Sequence, residues 1–97
     1  MKIVRTMEFK HWFYQQTEKA KAQIDARLKN IQIYGHFGDR KDLGRGLWEL
    51  RWKSGRRLYY HMRWNEELII VLLGGFKNAQ EKDIQKARKI LAKENSE

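Results

Sequence analysis

Between Leu47 and Leu73 apolar side chains recur first at every second position and then at every position, and few folds accommodate that change of period. In Leu47–Lys53, Trp48, Leu50 and Trp52 share one parity, while Glu49, Arg51 and Lys53 share the other. In Arg56–Trp64, Leu58, Tyr60, Met62 and Trp64 alternate with Arg57, Tyr59, His61 and Arg63. Successive strand side chains point to opposite faces, so each run has one apolar and one basic side. A third run, Glu67–Leu73, is apolar from Leu68 onward. A strand covered on both faces has that composition, which predicts a place at the sheet centre. Ser54-Gly55 suits a tight hairpin and Asn65-Glu66 a second turn. The pattern predicts an antiparallel three-stranded meander.

On either side of the meander the period changes to that of helices. Met1–Arg5 is a short β-branched start, predicted as an edge strand. Thr6 can cap a helix, and Phe9, Trp12 and Phe13 then fall on one helical face. Thr17 marks a second start, and Ala20, Ile24, Leu28 and Ile31 follow at helical spacing up to Gly35, a C-terminal breaker. The two helices read as a hairpin laid on one face of the sheet, with the aromatic stripe as core. His36–Arg45 reads as a charged loop. After the meander, Gly74-Gly75 is expected to break the strand. Asn78 with Glu81 suggests a capping box for a last helix striped by Ile84, Ala87, Ile90 and Leu91. Lys77 then precedes a helix N-terminus, where free N–H groups and the helix dipole favour an anion such as phosphate.

Charge narrows the function. The 97 residues carry a net +9, and the length allows one domain, residues 1–97, with one core. Arg40–Arg63 holds eight cations against two anions. Mixed Lys and Glu would serve solubility; an Arg-rich strand face beside Tyr and His points to a polyanionic partner. Cys is absent, which fits the cytoplasm, and no apolar run approaches a membrane span. His11, His36 and His61 show no metal-ligand spacing with the scattered carboxylates, so neither a metal nor another cofactor is expected.

Several short motifs, in order, carry a resemblance. They are Phe9 to Phe13, Ala26-Arg27-Leu28, Gly35-His36-Phe37-Gly38-Asp39 with Lys41, and Gly46-Leu47-Trp48-Glu49-Leu50-Arg51. Gly55-Arg56-Arg57-Leu58-Tyr59-Tyr60 follows, then Leu72-Leu73-Gly74-Gly75-Phe76-Lys77 with Gln80 and Asp83-Ile84. Over about residues 3–91 the chain resembles the RelE/ParE toxin superfamily, within it the phage-derived, HigB-like "addiction module killer" group. The resemblance implies an α+β fold of order β-α-α-β-β-β-α, with a small antiparallel sheet, a helical hairpin on one face and a C-terminal helix.

It also implies a type II toxin, in the RelE and HigB manner a ribosome-dependent mRNA endoribonuclease. In that chemistry the ribose 2′-OH attacks the adjacent phosphate without a metal. Proton transfer and cations for the phosphorane are then required, and only RNA has the 2′-OH. By position, Arg57 and Lys77 match the family's catalytic cations. Arg51 shares the face of Arg57, with Tyr59 or His61 for proton transfer and Glu49 as the orienting carboxylate. Lys41, Arg45, Lys53, Arg56 and Arg63 are the implied RNA or ribosome contacts. The implied partners are mRNA on the ribosome and a helix-turn-helix, HigA-like antitoxin whose complex binds operator DNA; no membrane is implied. The alternative within the superfamily is a ParE-like inhibitor of DNA gyrase. The chain departs from some RelE members in lacking a C-terminal catalytic Tyr.

Overall fold

The computed structural model describes residues 1–96. Five strands form one sheet: β1 (Lys2–Arg5), β2 (Arg40–Gly44), β3 (Leu47–Arg51), β4 (Arg56–Arg63) and β5 (Leu68–Phe76). Their order across the sheet is β1-β5-β4-β3-β2. The meander β3-β4-β5 and the β2-β3 hairpin are antiparallel, and β1 lies parallel to β5 at the edge. Three helices complete the chain: α1 (Met7–Tyr14), α2 (Glu18–Tyr34) and α3 (Gln80–Glu94). None is long and apolar enough to cross a membrane.

The helical hairpin forms for the reasons its sequence suggests. The Thr6 hydroxyl accepts the Phe9 amide at 3.0 Å and donates to the Leu72 carbonyl at 2.8 Å, so one buried side chain caps α1 and ties it to β5. Thr17 accepts the Ala20 amide at 3.1 Å to start α2. Gly35 ends α2 at φ +69°, a conformation glycine adopts without strain. Phe9, Phe13, Ile24, Leu28 and Ile31 then pack on Leu50, Leu58, Tyr60, Met62, Ile69 and Val71, with Trp12, Trp48 and Trp52 at the margin.

The other face of the sheet is also apolar. Leu47, Tyr59, Ile70, Leu72 and Leu73 pack under Ala87, Ile90 and Leu91 of α3. The expected single core is therefore two layers with the sheet between them. The expected open basic face is covered along its middle by α3.

Four other local expectations change. Arg40–Gly44 is a strand, not loop; its residues are mostly charged and exposed because it is the far edge, where only one side needs a partner. β5 is internal but not central, since β4 holds the middle. It also runs through Gly74 and Gly75 to Phe76, so the pair does not break it. A β-carbon at Gly74 would lie 2.3 Å from the Trp12 ring, and one at Gly75 would lie 2.1 Å from Asp83 Oδ2. Each glycine admits one helix side chain, on opposite faces. Finally, Lys77–Ala79 is a 3₁₀ turn, α3 begins at Gln80, and no side chain caps it, so Asn78 and Glu81 form no capping box.

Candidate functional site

The backbone register assembles a charged cluster at the end of the sheet near the β3–β4 turn. Arg51 pairs with Arg57, which pairs with Gly75; Lys41 pairs with Glu49, which pairs with Tyr59. Directly opposed residues emerge on the same face. α3 crosses that face, and its first turn brings in Gln80 and Asp83.

Glu49 is the cluster's hub. It is 0% exposed, and a polar group buried there needs hydrogen-bond donors around it. Arg51 Nε donates to its Oε1 at 2.8 Å and Gln80 Nε2 to its Oε2 at 2.6 Å, while Arg57 Nε stands 4.0 Å from Oε2. The bond to Glu49 strengthens the hold of Arg51 on its proton. Arg51 remains partly open to solvent, whereas the Arg57 side chain is 13% exposed. Arg57 Nη1 donates to the carbonyls of Trp52 at 3.2 Å and Arg56 at 3.0 Å, which fixes the guanidinium under the turn. Lys77 arrives at the same end: its amide donates to the Gly55 carbonyl at 2.8 Å, and its aliphatic stem runs against Gly55. Arg51, Arg57 and Lys77 thus lie at one end of the sheet, the first two beside Glu49.

Neither expected proton-transfer residue fits. Tyr59 is 0% exposed, and among the described residues its hydroxyl has no hydrogen-bond partner. Burial, reinforced by the Glu49 charge, pushes its ionisation far above the usual phenol range. It is a core residue under α3. His61 is four residues from Arg57 along β4, a separation of about 13 Å at strand rise. Its Nδ1 lies 2.7 Å from the Gly46 carbonyl, which can only accept, so Nδ1 carries the proton and holds the β2–β3 turn.

The expected RNA contacts scatter. Arg56 is buried on the hairpin side, bonded to Gln23 Oε1 at 3.1 Å and set over the Trp52 ring, so it is not a free contact. Arg63 is turned to the end of α3, where it donates to Asn95 Oδ1 at 2.8 Å. Arg45 is exposed at the β2–β3 turn with φ +51°, at the end of the sheet opposite to Arg57. Lys53 is exposed in the β3–β4 turn beside α2. Lys41 is exposed on β2, beside Glu49.

Sequence reasoning gave no role to Gln80, although Gln80 and Asp83 lie three apart on one helix face. That spacing, in the turn after Lys77, was the available signal. Arg27 was also passed over. It donates to the carbonyls of Phe37, Asp39 and Arg51 and lies 4.3 Å over the Trp52 ring, fastening the chain before β2 to the end of β3.

No protein-family model matches the chain. An uncharacterized protein of Haemophilus influenzae is 41% identical over 97 residues, covering 97% of this chain and 95% of its own. Among solved structures, the RelBE toxin–antitoxin complex of E. coli is similar with TM-score 0.66 and 14% identity, over 77% of this chain and 94% of that one. A YoeB/ParE toxin from Agrobacterium tumefaciens is similar with TM-score 0.63 and 20% identity, over 78% and 98%. The isolated E. coli RelE toxin gives TM-score 0.67 at 12% identity, over 88% and 96%. At those identities the likeness is one of fold. The chain therefore belongs to one family with the Haemophilus influenzae protein, and the fold it carries is that of the RelE/ParE toxin superfamily.

Proposed function

We propose that the chain is the toxin of a toxin–antitoxin pair, and that it cleaves mRNA on the ribosome. The observation that carries this reading is the meeting of Arg51, Arg57 and Lys77 at one end of the sheet, with two of them oriented by the sealed Glu49. Such an arrangement suits an in-line displacement at phosphorus. Arg presents a planar fork to phosphate oxygens. Cations fixed in advance lower the barrier more than mobile ones, because they do not reorganise as charge develops.

In this reading the ribose 2′-oxygen attacks the adjacent phosphorus, the bond to the 5′-oxygen breaks, and a 2′,3′-cyclic phosphate and a 5′-hydroxyl result. Arg51, Arg57 and Lys77 share the charge of the phosphorane. A small antitoxin with a helix-turn-helix domain, acting in the cytoplasm, would neutralise this end of the molecule or obstruct it by bulk. The same complex would bind operator DNA.

A second reading, gyrase inhibition without RNA cleavage, draws on the sealing of Tyr59 and the distance of His61 from the cations. Induced expression in a bacterial host separates the two. The nuclease reading expects new mRNA 5′ ends inside translated codons, absent with Arg57→Ala and Lys77→Ala. Growth arrest with intact mRNA and a DNA-damage response would replace it with the gyrase reading.

A further inference from the structure

With Tyr59 sealed under α3 and His61 at the other end of β4, the cation cluster has no proton acceptor among the residues its sequence nominates. Three carboxylates stand near it. Glu49 is fully buried, with each oxygen taken by a donor. The Asp39 carboxylate also has no partner among the described residues, but it is exposed before β2, where the backbone carbonyl of the same residue takes Arg27 and the Arg51 amide. Asp83 is different. It is half-buried, and among the described residues nothing donates a hydrogen bond to it and no cation pairs with it.

Its position is built by the sheet. Asp83 Oδ2 occupies the space a β-carbon would take at Gly75, and Gly75 is the cross-strand partner of Arg57. Opposed strand positions begin about 5 Å apart on a common face, so the Asp83 carboxylate and the Arg57 side chain flank one point of the sheet. They do not bond to each other, since the Arg57 guanidinium is turned to the carbonyls of Trp52 and Arg56. A half-buried carboxylate with no partner among the described residues, set beside the strand position opposite Arg57, has no structural task that accounts for it.

Resting on the nuclease reading, we propose that Asp83 is the general base of the cleavage site. Its carboxylate takes the proton of the ribose 2′-hydroxyl as the bond from O2′ to phosphorus forms. The bond from phosphorus to O5′ breaks, and the leaving 5′-oxygen takes a proton from water. Charge balances: the carboxylate becomes a carboxylic acid, and the water that gave its proton leaves a hydroxide, which removes the proton from Asp83. Burial raises the Asp83 ionisation from its ordinary value, the direction that makes a carboxylate a stronger base. The charged and titratable groups that face it are Lys82 and Lys86 on α3 and Tyr59 on β4, with Arg57 at the strand position opposite Gly75.

The test is single-turnover cleavage of mRNA on purified ribosomes by the full chain, as a function of pH. Asp83→Asn is expected to lower the rate about 100-fold or more, as loss of a general base does. It should also remove the acid limb of the pH profile and leave the melting temperature at pH 7 undiminished. Asp83→Ala is expected to recover part of its rate when formate is supplied, which a merely structural residue would not permit. Asp39→Asn should cleave within a few-fold of the wild type. The inference is overturned if Asp83→Asn keeps the wild-type rate and acid limb, if formate does nothing for Asp83→Ala, or if Asp39→Asn suffers the loss instead. A wild-type chain that leaves ribosomal mRNA intact overturns the nuclease reading itself, and the inference with it.

Discussion

Two buried polar groups have opposite fates in this chain. The Glu49 carboxylate is matched by Arg51 and Gln80, while the Tyr59 hydroxyl is matched by nothing. An unsatisfied buried hydroxyl costs roughly 1–3 kcal/mol in lost hydration. Tyr59→Phe should therefore leave stability unchanged or raise it by about 1 kcal/mol in urea denaturation, with full activity; a large loss of activity would return Tyr59 to the site. Asp83 gives a second residue-level expectation. Its folded-state ionisation lies above its unfolded value because burial disfavours the charge. Between those two values the native state binds more protons than the unfolded one, so this group's contribution to stability falls as pH rises through that window. The asparagine variant removes the penalty. The wild-type melting temperature should decline relative to that of Asp83→Asn as pH increases from the unfolded to the folded value, and then run parallel to it.

Among the elements, β5 does more than fill the core. Its two glycines are contact points for α1 and α3 on opposite faces. Gly74→Ala would drive a methyl group into the Trp12 ring, and overpacking of that kind costs about 1–3 kcal/mol. The loss should appear as a lower urea midpoint with an unchanged slope; an unperturbed midpoint would mean that α1 shifts freely on the sheet. The same glycines mark a limit of sequence reading. Side by side they resemble a strand terminator, and only the helices that cross them reveal why a β-carbon is excluded. The capped helices and the alternating meander were legible because their signals are local: Thr6, Thr17 and Gly35 each act within four residues. β2 was hidden, since an exposed edge strand of Arg, Lys and Asp has no apolar alternation to display. The docking of α3 on the basic face was hidden too. Its stripe of Ala87, Ile90 and Leu91 shows that one side is buried, not against what. That burial turned Tyr59 from a candidate acid or base into core, whereas strand parity placed Arg51, Arg57 and Glu49 on one face and the resemblance singled them out there.

At the scale of the molecule, a +9 chain divides its cations into those with structural work and those without. Arg27, Arg40 and Arg56 lie over aromatic rings on the hairpin side, and Arg88 and Arg63 bond to backbone and side-chain oxygens around α3. At the β3–β4 end, Arg51 and Arg57 are held by Glu49 and by backbone carbonyls, with Lys77 beside them, and these are the cations proposed to meet RNA. Binding through three phosphate contacts to single-stranded RNA should weaken about 20-fold for a fourfold rise in salt. Arg51→Ala should flatten that dependence, while Arg63→Ala should leave it as it is; equal effects of the two would place binding on diffuse charge.

The chemistry of the cut ends tests the central claim most directly. Purified chain is mixed with ribosomes carrying a defined mRNA, and the products are analysed by mass. The account predicts 2′,3′-cyclic phosphate and 5′-hydroxyl ends with the wild type, and intact RNA with Arg57→Ala. Intact RNA with the wild type, or 5′-phosphate ends, would contradict it.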